Sequence, residues 1–211
     1  YMLRMGRWQA MAESINPDRA IFDSEFHSGI SLGASFADSF AKHFWKKIGL
    51  IPCADGGTKL SQWMSGEILF DHAVFMTKLA MRTSSLGGIL WHQVESDCNE
   101  NDITSYKDRF LYMISELKKS LNVEKLPIII GELSGNISPK WNCGDYPKEM
   151  NVIFKKIEKE FSFCKVVSAD KLTLKKDGIH FDSKSLREFG HRYFDEYLQI
   201  TREQDVKNNV F

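Results

Sequence analysis

The chain has 211 residues, a length that suits one domain burying roughly 70% of its unfolded surface, so neither disulfides nor a metal is needed to hold it together. Its 28 Lys and Arg balance 28 Asp and Glu, which argues against nucleic acid, an anionic membrane or a polyanionic partner and suits a small neutral substrate. Cys53, Cys98, Cys143 and Cys164 are scattered, with no C-x-x-C pair or matching histidine spacing, so no metal site is expected, and no apolar run is long enough to span a membrane.

Tyr1 to Trp8 reads as a short edge strand turning at Gly6, with Trp8 packing back; Gln9 to Gly29, polar and aperiodic around Pro17, reads as a long surface loop. Gly29-Ile30-Ser31-Leu32-Gly33 spells the G-x-S-x-G nucleophile elbow, with Asp177 and His180 following in order. No buried strand runs into Ser31, however, because Asp23 to Ser28 is neither apolar nor alternating, so Ser31 is read as a helix cap. The following helix, about 33–47, gathers Phe36, Phe40, Phe44 and Trp45 on one face toward the core.

Lys47 to Ala54 is apolar enough for a buried strand and runs into Asp55-Gly56-Gly57-Thr58, where paired glycines let backbone N–H groups approach a ligand. Trp63 is expected on the rim of a site, and 67–82 carries a helical period. Gly87 to Trp91 climbs as a strand and empties into His92-Gln93-Val94-Glu95-Ser96-Asp97. In open α/β sheets the ligand crevice lies just beyond the strands' carboxyl ends, so Gln93 and Glu95 are candidates to face a substrate. Helices are expected over 102–121, 148–161 and 183–198, and strands at 126–133 and 164–168. This alternation implies an open parallel α/β sheet with helices on both faces, a three-layer domain over 1–200 followed by a frayed tail at 201–211. Before the last helix, Asp177-Gly178-Ile179-His180 places a carboxylate where it can accept from an imidazole Nδ1–H and leave Nε2 as a general base.

Taken together, Cys53 to Thr58 with Trp63, Trp91 to Asp97, and Asp177 to Phe181 resemble three of the four blocks of the SGNH hydrolase superfamily. The branch they resemble is the sialate O-acetylesterase-like group that includes carbohydrate esterase family six, the acetylxylan esterases. The likeness extends from the edge strand to about Leu198. It implies a cofactor-free serine esterase acting on an acetylated carbohydrate. His180 matches the family's catalytic base and Asp177 its orienting acid. Gly57, or its neighbour Gly56, matches the oxyanion-hole glycine, Gln93 the side-chain donor to the same oxyanion, and Glu95 an additional or alternative helper acid. The chain departs from the pattern twice. Val94 stands where the H-Q-G-E motif has glycine, and the G-Q-S-N block at the end of the first, central strand, which supplies the nucleophile, is absent.

The chain begins at Tyr1 and reads as the interior of a longer polypeptide. The superfamily's strand order implies that the missing strand lies between the edge strand near Tyr1 and the strand ending at Cys53. Free thiols at Cys53 and Cys164 suit a reducing cytoplasm. The favoured function is a carbohydrate O-acetyl esterase inactive without its missing block. The competing one is a catalytically inactive sugar-binding module of the same fold.

Overall fold

The computed structural model describes residues 1–16 and 28–208, so most of the loop expected between Gln9 and Gly29 lies outside the described residues. The chain opens with a hairpin, β1 (Met2–Arg4) and β2 (Arg7–Gln9), paired antiparallel around Met5 and Gly6 at φ 47° and 73°. Two positive φ values make a turn whose twist matches that of the flanking strands, which is why glycine stands there. The Trp8 indole packs back over Gly49 and donates from Nε1 to Thr83 Oγ1 at 3.1 Å.

Helix α1 (Leu32–Phe44) starts at Ser31, whose Oγ accepts from Gly33 N at 3.1 Å. Ser31 thus takes the capping role expected of it, its hydroxyl spent on the backbone. Phe36, Phe40 and Phe44 form the aromatic face and meet Phe194. Trp45 does not join them. It is the left-handed C-cap at φ 54°, and the reversal of the chain there throws its ring into solvent, 92% exposed.

Helix α2 (Ile68–Ala80) leads to β3 (Ile89–Trp91), and α3 (Glu100–Leu121) begins where Asn99 accepts from the N–H groups of Asn101 and Asp102. Strand β4 (Ile128–Gly131), helix α4 (Tyr146–Glu160) and strand β5 (Cys164–Val167) follow. The chain ends in α5 (Ser183–Asn208), started by Asp182 Oδ1, which accepts from Ser185 N at 2.8 Å. The expected tail at 201–211 is therefore helical through Asn208, because α5 simply continues past Ile200, which is still buried.

Strands β3, β4 and β5 pair in parallel in that order, Leu90 opposite Ile129 and Ile129 opposite Lys165. Ile128 and Ile130 face α2, α3 and α4 among Trp91, Phe110 and Phe154, whereas Ile129 faces α1 and α5 among Phe36, Phe189 and Tyr193. Period-two alternation with both faces covered explains an uninterrupted isoleucine run, each side chain contributing about 1.5–3 kcal/mol by leaving water. Two glycines bring layers together. At Gly131 a Cβ would lie 2.2 Å from Tyr193 Oη and 2.8 Å from His92 Nδ1, so its absence lets Tyr193 cross β4 and donate to Trp91 O at 2.8 Å. At Gly190 a Cβ would lie 2.1 Å from Leu32 O and 3.0 Å from Phe36 N. Because those atoms are backbone and cannot swing aside, Gly190→Ala is expected to cost about 3 kcal/mol, at the upper end of overpacking penalties, measured as a lowered denaturant midpoint.

The segment 47–54 differs from its expectation. Only Leu50 enters a ladder, bridging Met2 in parallel, with Leu3 N donating to Leu50 O at 2.8 Å and Leu50 N to Tyr1 O at 2.9 Å. Pro52, which has no N–H, stops the ladder from extending. This pairing differs from the expected arrangement, since β1 and the Leu50 segment are direct neighbours with no strand between them. The Leu50 segment and β3 share no backbone hydrogen bond among the described residues.

Candidate active site

The loop before α5 is closed by a bridge between Leu174 and Phe181 and by Lys175 N donating to His180 O at 2.8 Å, with Gly178 at φ 70° making the bend. Within it, Asp177 Oδ1 accepts from the N–H groups of Ile179 and His180 at 3.0 and 3.1 Å, and Oδ2 lies 2.9 Å from His180 Nδ1. Partial burial works against ionisation of Asp177, but these N–H donors and the imidazole outweigh it and hold the carboxyl down to about 2. An ionised partner on Nδ1–H leaves Nε2 with its lone pair, and 60% of the His180 side chain is open to solvent. The preceding loop braces this one: Ser138 N donates to Gly178 O at 2.7 Å and Trp141 Nε1 to Asp177 O at 2.8 Å.

At the end of β3, the His92 ring packs on Phe181 and Phe189 at 5.8 and 5.4 Å, joining this strand end to the His180 loop. Burial lowers the basicity of His92, while Glu95, 4.0 Å from Nε2, acts in the opposite direction. Its Nδ1 is buried beside the Gly131 backbone without hydrogen-bond geometry. Asp97 is fully buried, and Oδ2 accepts from Leu60 N and Gln93 Nε2, both at 2.9 Å. Burial raises its carboxyl above the usual range against the pull of those donors, so the cost of its charge appears as pH rises. Gln93 Nε2 also donates to Thr58 O at 2.6 Å. Ser96 Oγ donates to Gly57 O at 3.1 Å, so the Gly56–Gly57 turn is held against 95–97. Gly57 has φ 73°, while the N–H groups of Gly56 and Gly57 enter no backbone hydrogen bond among the described residues.

The expected site residues thus meet at one sheet end as a chain of contacts running from Gly57 through Ser96, Glu95 and His92 to the loop carrying Asp177 and His180. Three of them sit otherwise than expected. Trp63 is not on the rim: it is 7% exposed, edge-on to Trp91 at 5.7 Å, with Nε1 donating to Thr58 Oγ1, because a tryptophan bonded through its N–H fits the core better than water. Both Gln93 N–H groups are committed to Thr58 and Asp97, leaving none pointing outward. Glu95 neighbours His92, and the carboxylate on His180 Nδ1 is that of Asp177. Asp97 and Trp141 carry roles that the sequence did not suggest. The four-residue spacing of Gln93 and Asp97 was the available signal for one, and nothing local marked the other.

Val94 is buried at φ 154° and ψ −10°, a region that favours glycine, as its place in the motif implied. Val94→Gly relieves about 1–3 kcal/mol of strain and loses about 1.5–3 kcal/mol of buried side chain, so the unfolding midpoint should hardly move. Denaturant titration of the variant checks it; a large fall in the midpoint would show that the branched side chain belongs there.

Fold and site together define a class, the open parallel α/β proteins of SGNH type, with an imidazole held by a carboxylate beyond the strands' carboxyl ends. The family model for carbohydrate esterases, sialic acid-specific acetylesterases, matches residues 2–199, and the chain belongs to that family. It is 28% identical over 200 residues to a probable carbohydrate esterase of Arabidopsis thaliana, spanning 91% of this chain and 71% of that protein. An Arabidopsis thaliana crystal structure superposes with a TM-score of 0.83 at 26% identity, covering 94% of this chain and 79% of the other. The fold also matches NanS, with a TM-score of 0.70 at 16% identity over 89% and 77% of the two chains. A carbohydrate acetylesterase from Xanthomonas citri matches with a TM-score of 0.58 at 18% identity over 81% and 40%. Among the described residues no cluster of three His, Cys, Asp or Glu is placed to hold a metal, and no helix is long and apolar enough to cross a membrane.

Proposed function

We propose that the chain is the larger part of a carbohydrate O-acetyl esterase acting on sugars such as acetylated xylan or sialic acid. The observation that carries this reading is the Asp177–His180 pair, in a chain of the carbohydrate esterase family. In the proposed cycle His180 Nε2 takes the proton of a serine hydroxyl as its oxygen attacks the acetyl carbonyl, then gives that proton to the departing sugar oxygen. Water, deprotonated by the same nitrogen, then attacks the acetyl-serine carbonyl, and that proton passes to the serine oxygen as the acyl–serine bond breaks and acetate leaves. Asp177 holds the tautomer and carries the charge that develops on the ring. Gly57 N–H, with Gly56 beside it, takes the oxyanion, a donor of a kind worth about 2.7–4 kcal/mol at the transition state. Gln93 serves by fixing Thr58 and the Gly57 turn, and Glu95 by opposing the burial of His92.

No hydroxyl hydrogen-bonds His180 Nε2 among the described residues, and β3 pairs with β4 alone among them, which leaves its other edge for one more parallel strand. The proposed nucleophile is the serine of a G-Q-S-N block on that strand. Buried free cysteines support a cytoplasmic setting. A sugar-binding module without hydrolysis is the second reading, favoured by the backbone at Val94 and by the spent amide of Gln93. Assaying the complete polypeptide on aryl acetates, then on acetylated xylan and O-acetylated sialic acid, separates the two; sugar binding without release of acetate sinks the esterase.

A further inference from the structure

The loop that braces Asp177 also carries an aromatic surface no step above uses. Trp141 ends a short turn of helix, Pro139–Trp141, and keeps 44% of its surface exposed although its N–H is bonded to Asp177 O at 2.8 Å. That bond fixes the indole relative to His180, two hydrogen bonds away. Beside it opens a groove lined by Ile137, Ser138, Asn142 and Cys143. Its Ser138 wall packs against Gly178, to whose carbonyl Ser138 N donates at 2.7 Å, so the groove lies against the loop that carries His180. The groove and the indole thus flank the same loop. A hydroxyl and a carboxamide beside an apolar floor and an aromatic face suit a ligand with both apolar C–H faces and hydroxyl edges.

We propose that Trp141 is the platform on which the pyranose ring of the O-acetylated substrate stacks, with Ser138 and Asn142 at the ring's hydroxyl edge, making it the residue that selects sugar esters over simple esters. The proposal rests on the esterase reading above. Lys140, whose ammonium stands 5.8 Å from the indole centroid, occupies one side of the ring and directs the sugar to its remaining open surface.

The test compares Trp141→Phe, which keeps an aromatic face but loses the N–H, with Trp141→Ala, which loses both, in the complete polypeptide. Substrates are an aryl acetate and an O-acetylated methyl pyranoside. Loss of the N–H lowers kcat on both substrates alike in both variants. Loss of the face raises KM for the pyranoside about tenfold in Trp141→Ala relative to Trp141→Phe, and leaves KM for the aryl acetate within twofold. Equal KM changes on the two substrates overturn the platform. Binding of the unacetylated methyl pyranoside, read from the Trp141 indole N–H resonance, requires no hydrolysis. A shift of that resonance on titration, with no acetate released from any ester, sinks the esterase reading alone. Hydrolysis of both esters with no shift, and with Trp141→Ala like Trp141→Phe, sinks the platform alone.

Discussion

Replacing His180 with alanine in the complete polypeptide lowers kcat for aryl acetates by about 10²–10⁴-fold, the usual contribution of a positioned acid–base group. The midpoint of thermal unfolding stays where it was, because a ring that is 60% exposed adds little packing. Asp177→Asn should cost nearly as much by a different route. An amide at 177 can donate to Nδ1, which moves the ring proton to Nε2 and leaves no lone pair for the serine. The two variants differ in their pH behaviour. The Asp177 carboxyl is held down to about 2, so its stabilising interactions are complete above the unfolded value of about 3.9 and are lost as pH falls through its folded value. An acid limb of the rate profile above pH 4 therefore belongs to another group, and in Asp177→Asn the stability gained between about pH 2 and 4 disappears. Rate profiles and acid titrations of the two variants check both statements; a kcat within threefold of the parent in either variant removes the pair from the mechanism.

Residues 1–211 alone should hydrolyse no aryl acetate, and joining them to a segment bearing the G-Q-S-N strand should give activity together with about 5 kcal/mol of stability. Among the described residues strand β3 pairs with β4 alone, and Ile89 and Leu90 on it are only half-buried. A central strand there would satisfy several backbone groups, each worth about 0.5–1.5 kcal/mol net, and would bury apolar side chains on both faces at about 1.5–3 kcal/mol each, against about 1–2 kcal/mol per residue of ordering. Denaturant titration and initial rates of the two chains measure the differences. Equal hydrolysis by both, abolished in each by Ser31→Ala, would move the nucleophile to Ser31 in spite of its capping bond to Gly33.

What could be read in advance is what is encoded locally. An isoleucine run with both faces buried, helices with a 3.6-residue period, and a D-G-I-H turn specify their own geometry, and the structure has the parallel sheet and the Asp177–His180 bond accordingly. Which segments become neighbours is not encoded that way. β1 pairs with Leu50 across 47 residues, and no property of either stretch distinguishes that partner from a strand inserted between them. Trp63 shows the same limit at the level of a side chain, for its burial depends on Thr58 and Trp91 being in place to receive it. Gln93 was identifiable as a polar residue at a strand end, but where its amide points was settled by Asp97 and by the positive φ next to it.

The absence of a side chain at Gly131 bears on how the molecule opens. Because Tyr193 passes over that glycine to hold Trp91 O, α5 cannot lift from the sheet without releasing the strand end from which His92, Gln93 and Glu95 follow. The loop bearing His180 leads directly into α5. Both sides of the proposed site therefore belong to a single cooperative unit, in which amide protons of β3 and of the first turns of α5 share one opening free energy, and a fluctuation that exposes either side disarms both at once.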